Sequence, residues 1–136
     1  MLLGVLCVAG GARADEYKNQ VEMTATLLES TVDGFAKACL RLGGKLTEGE
    51  QMSKCERGRS LLAIKHSKDV VTWAMIAYPA TREDIEGLWK RAQDTFGKPD
   101  VATENELIWR LARGVIASAG FDHEYSSFVL ARPPKR

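Results

Sequence analysis

An α+β fold, with two helices packed on one face of a mainly antiparallel sheet, is what three features of this sequence predict. One is an apolar stripe at helical spacing in "TREDIEGLWKRAQDTFGKP". Another is a set of short runs rich in β-branched and aromatic residues. The last is a repetition of that order of elements 53 residues further along the chain, which suggests a tandem α-β-β-β pseudo-repeat.

The chain opens on an apolar run, Leu2 to Ala9, followed by a Gly pair and Ala12-Arg13-Ala14. Small residues spaced in this way after an apolar run read as a secretory signal peptide over residues 1–14, and the run is too short to span a bilayer. Removing 14 of 136 residues leaves 122, a length suited to a single domain over 15–136. Loss of Arg13 takes Lys+Arg from 19 to 18 against 18 Asp+Glu, so the remainder is formally neutral. Nucleic acid and anionic membranes are bound chiefly through clustered positive charge, so neither is expected as a partner. The expected location is periplasmic or secreted. Export also bears on the cysteines: without Cys7, Cys39 and Cys55 remain as an even pair in an oxidising compartment, the setting of a structural disulfide.

Along the chain, Leu28, Val32, Phe35, Ala36, Cys39 and Leu40 form one stripe, which predicts a helix from about Thr24 to a stop at Gly43-Gly44. Lys45 to Glu56 is more polar and suits one or two edge strands, one of them carrying Cys55. "SLLAIKH" and "VVTWAMIAY" flank "SKD" and read as a hairpin over Ser60–His66 and Val70–Tyr78. In the second helix Ile85, Leu88, Trp89, Ala92 and Phe96 make the stripe, Thr81 with Asp84 forms a cap, and Gly97 with Pro99 stops it. "ELIWRLA", "VIASA" and "YSSFVLA" complete the strands, with turns at Arg113-Gly114 and around "GFDHE". At a constant offset of 53, Gly34 meets Gly87, Lys37 meets Lys90, Gly44-Lys45 meets Gly97-Lys98, Arg57 meets Arg110 and Asp69 meets Asp122. The halves would be 24–78 and 79–131, with Leu62, Ile64, Trp73, Ile85, Leu88, Trp89, Phe96, Trp109 and Phe128 in one core.

No phosphate loop, dinucleotide fingerprint, zincin motif or nucleophile elbow occurs, and no catalytic, cofactor-binding or metal residues are assigned. His66, Ser67 and Asp69 are triad residue types crowded into one turn, where nucleophile, base and orienter cannot line up. Asp122, His123 and Glu124 are metal-ligand types, but three adjacent turn residues do not point one way. If the first hairpin turns at Ser67-Lys68, Ile64 pairs with Val71 and Leu62 with Trp73. The opposite face then shows Lys65, Val70, Thr72, Ile76 and Tyr78, joined by Ile116, Tyr125 and Val129. Thr72, Ile76, Tyr78 and Tyr125 are the candidate partner-binding residues, since aromatic anchors are enriched at interface hot spots. The function expected is an exported, non-catalytic binding or accessory domain acting on another protein, without cofactor. The alternative is a small periplasmic hydrolase or metal-dependent enzyme using the turn His and Asp residues.

Overall fold

The computed structural model describes residues 17–133, so the expected leader and Cys7 lie outside the described residues. Helix α1 covers 17–28 of these, followed by α2 (Val32–Arg41), β1 (Lys45–Glu48), β2 (Met52–Arg57), β3 (Ser60–Ser67) and β4 (Val70–Pro79). Then come α3 (Arg82–Phe96), β5 (Val101–Ala102), β6 (Glu106–Arg110), β7 (Ile116–Asp122) and β8 (Tyr125–Ala131). The strands form one eight-stranded antiparallel sheet in the order β1-β2-β3-β4-β8-β7-β6-β5. Strands thus run inward from each edge, and β4 meets β8 in the middle.

The single stripe expected from Thr24 onward is split into α1 and α2 at Ser30-Thr31. Short hydroxyl side chains end one helix and begin the next. Ser30 Oγ donates to the Leu27 carbonyl at 2.7 Å, and Thr31 Oγ1 accepts from Gly34 N at 2.9 Å as the N-cap of α2. The break turns Leu40 outward, leaving it 62% exposed, while Phe35 and Cys39 stay buried. Helix α3 begins with the expected capping box between Thr81 and Asp84 and ends at Gly97, whose φ of 84° favours glycine.

Cys39 on α2 and Cys55 on β2 form a disulfide, with Cα atoms 5.8 Å apart. Gly44 passes so close that a Cβ there would collide with both sulfurs, which explains why the second residue of the Gly pair is glycine.

Two expectations about strand register are corrected. The first hairpin turns at Lys68-Asp69, with Ser67 opposite Val70, and a bulge between Lys65 and His66 shifts the pairing beyond it. Leu62 therefore faces Ile76, Ile64 faces Ala74, and Trp73 pairs with Lys65 instead of Leu62. Because side chains alternate with period two, this slip carries Trp73 out of the core and Ile76 into it. The constant offset of 53 also fails as a structural equivalence. The two capping threonines, Thr31 and Thr81, lie 50 residues apart, and the positive-φ turn residues Lys68 and His123 lie 55 apart. The β2–β3 connection has two residues, Gly58-Arg59, whereas β6–β7 has five, Leu111–Val115. At offset 53, buried Cys55 would match half-buried Ile108, and buried Ile76 would match half-buried Val129.

The core joins Leu27, Leu28, Phe35, Ile85, Leu88 and Ala92 from the helices to alternate strand residues, among them Leu62, Ile64, Ile76, Leu107, Trp109 and Phe128. Trp89 and Phe96 pack against it half-buried. Gln20 of α1 is also buried and donates to the Ile76 carbonyl at 2.8 Å, anchoring α1 over the central strands.

Tyr17 joins this core edge-on to Phe128, with ring centroids 6.4 Å apart. Burial pushes its hydroxyl well above the ordinary tyrosine range, with Thr95 opposing in part. The unfolded chain gives up this proton near pH 10 and the folded chain holds it, so the contribution to stability is constant below about pH 10 and declines above. In urea titrations between about pH 8 and 11, Tyr17→Phe should flatten the alkaline decline seen in the wild type, and parallel curves would contradict this.

Candidate functional site

Cross-strand pairing defines the sheet face opposite the Leu62–Ile76–Phe128 row. One row on it runs Thr47, Lys54, Ala63, Met75, Val129, Ser118, Ile108 and Val101, spanning all eight strands. The next runs Lys45, Glu56, Leu61, Ala77, Ser127, Gly120 and Glu106. Small residues therefore occupy much of the centre, and charged residues stand toward the edges. On the same face, Lys65 places its ammonium 4.4 Å from the centroid of the Trp73 ring, a cation–π pair.

At one end of this face lies an open groove of about 770 Å³. Its apolar lining is Leu61, Met75, Ala77 and Tyr125, and its polar lining includes Glu56, Arg59, Asp122, His123 and Glu124. A neighbouring hollow of about 680 Å³ lies across the β7–β8 turn and shares Arg59, His123 and Glu124 with it. Tyr125 is 37% exposed, a large apolar surface for one side chain to leave in solvent.

Of the four residues singled out from sequence, the structure places Tyr125 alone in this groove. Ile76 is fully buried between Leu62 and Phe128. Tyr78 shares the Ile76 side of β4, is half-buried against the core, and directs its hydroxyl to Met23 Sδ of α1 at 3.9 Å. Thr72 sits half-buried beside the bulge, its carbonyl accepting from Arg132 N. The four thus divide between the two sides of the sheet: the bulge puts Ile76 opposite Leu62 on the core side, which Tyr78 shares, whereas Tyr125 pairs with Pro79 and takes the other side. Leu61 and Met75 are the residues that sequence reasoning missed. "VVTWAMIAY" is apolar at nearly every position, so its own alternation does not say which set faces the helices.

The turn residues are engaged separately. His66 is buried, with Nδ1 3.1 Å from the Lys68 carbonyl and Nε2 without a hydrogen bond among the described residues. Asp69 accepts from Val32 N at the start of α2, at 3.2 Å. His123 Nε2 lies 3.3 Å from Asp122 Oδ1, with both side chains almost fully exposed. Among the described residues no group of three or more His, Cys, Asp and Glu side chains is arranged to hold a metal ion, and no helix is long and apolar enough to cross a membrane.

Comparison of the chain with protein-family models, with curated proteins and with solved structures finds no match.

Proposed function

We propose that this protein is an exported, non-catalytic binding or accessory domain that acts through contact with another protein. The observation that carries the reading is the groove of Leu61, Met75, Ala77 and Tyr125 within a sheet face whose centre is small and whose margins are charged. Its composition resembles that of a recognition surface: apolar and aromatic in the middle, polar at the rim. In this reading the helices cover one face and leave the other to the partner. The two halves, α2 with β1–β4 and α3 with β5–β8, descend from one unit whose connections have since changed length; each carries four strands where the α-β-β-β expectation had three, and the sheet order, with β4 and β8 meeting at the centre, supports that descent. The Cys39–Cys55 disulfide and the A-x-A segment support export.

A second reading, a small hydrolase using the turn residues, draws on one observation, that Asp122 and His123 line the groove 3.3 Å apart. Two exposed side chains on a turn lack the burial that tunes a catalytic pair. Affinity capture from the native host separates the two readings. Tyr125→Ala should weaken retention of a specific partner by about 1–2 kcal/mol, roughly tenfold, whereas Lys90→Ala on α3 should not. A partner retained equally by both variants contradicts the proposed face. Turnover of a small ester or peptide, lost in His123→Ala, would favour the hydrolase.

A further inference from the structure

A second cavity, of about 220 Å³, opens between α1, α2 and β2, away from the sheet groove. Met23, Leu27, Phe35, Leu42 and Leu62 line it, with the Cys39–Cys55 disulfide as part of its wall. Its charged lining consists of Arg41, in the last turn of α2, and Arg57, at the end of β2. No carboxylate lines it, and neither guanidinium has an ion-pair partner among the described residues. Leu42 remains 40% exposed beside it, which an occupant would reduce.

From these features we infer that the cavity binds a free medium-chain alkyl carboxylate, its tail among Met23, Leu27, Phe35 and Leu42 and its head between Arg41 and Arg57. Size and charge both select this class. An apolar cavity of about 150 Å³ accommodates benzene. The 220 Å³ found here is half as large again and suits a tail of about seven or eight carbons. Guanidinium groups recognise carboxylates through paired, charge-assisted hydrogen bonds, so two unpaired ones beside an apolar cavity favour an anionic head and reject a cationic one. Because both arginines are solvent-exposed, the head-group contribution weakens with added salt.

Calorimetric titration of the oxidised full chain with sodium octanoate, below its micellar range, tests the inference. Saturable one-to-one binding is expected, with octyltrimethylammonium failing to bind. Arg41→Gln/Arg57→Gln should weaken octanoate at least about tenfold, the effect expected from losing charge-assisted bonds. Ala38 of α2 also lines the cavity, so Ala38→Phe should abolish binding by filling it; if that variant fails to fold, the double arginine variant, altered only at exposed positions, carries the test. Tyr125→Ala should leave octanoate binding unchanged, so the result stands apart from that of the sheet face. Absence of saturable octanoate binding, equal binding of the cationic amphiphile, unchanged affinity in the arginine variant, or tighter binding of a peptide ending in Leu would each overturn the inference.

Discussion

Phe128→Ala is expected to lower the unfolding free energy by about 3–5 kcal/mol, the range for truncating a fully buried aromatic residue. Phe128 is 1% exposed and sits on β8 opposite Ile76 and Ala119. Its ring stacks on Phe96 of α3 at 5.8 Å and receives the edge of Tyr17 of α1 at 6.4 Å. Truncation therefore opens a cavity bordered by two helices and the centre of the sheet, where relaxation on one side is held back by the other. Val129→Ala, one residue along and on the opposite face, should cost under about 1.5 kcal/mol, since a half-buried aliphatic loses less on truncation. Urea titration of both variants measures the difference. Equal costs would mean that β8 does not alternate as described.

Those two neighbouring positions also show what the sequence made legible. In β8, "YSSFVLA" carries two aromatics, and the wholly apolar one, Phe128, is the natural inward residue and lies where that reading puts it, while Tyr125 stays exposed. Helix α3 is equally plain, because Thr81, Asp84 and Gly97 punctuate an unbroken stripe. The break at Thr31 was harder to read: apolar periodicity continues across Leu28, Val32 and Phe35, and only the hydroxyl pair Ser30-Thr31 marks the end of one helix and the start of the next. The hairpin β3–β4 illustrates the limit. Element boundaries there agree to within a residue, yet one bulged residue exchanges the faces of Trp73 and Ile76. Face assignment depends on the parity of a pairing, which local composition does not encode when both faces are apolar. The candidate groove is built from that parity, so Tyr125 was legible and Leu61 and Met75 were not.

Opening the Cys39–Cys55 bond should cost on the order of 3 kcal/mol, because a closed loop of about 15 residues restricts the unfolded chain by that amount in the chain-entropy model. The bridge fastens α2 to β2, the strand next to the edge strand β1. Cys39→Ser/Cys55→Ser, or the wild type in reductant, should therefore show a lower urea midpoint, and the smaller apolar cavity beside the bridge should lose its shape. Gly44→Ala offers an independent check, since the added methyl collides with both sulfurs and must displace the turn or strain the bridge. A midpoint that reductant leaves unchanged would show that the bond contributes nothing to the native state.

The recognition surface itself is best tested by site-specific photo-crosslinking in the native host, with a benzophenone side chain placed singly at Met75, at Tyr125 or at Lys90. Met75 and Tyr125 lie in the groove, and Lys90 lies exposed on α3. A shared protein adduct from Met75 and Tyr125, absent from Lys90, is the predicted result, and an adduct formed from Lys90 but from neither groove position would contradict it.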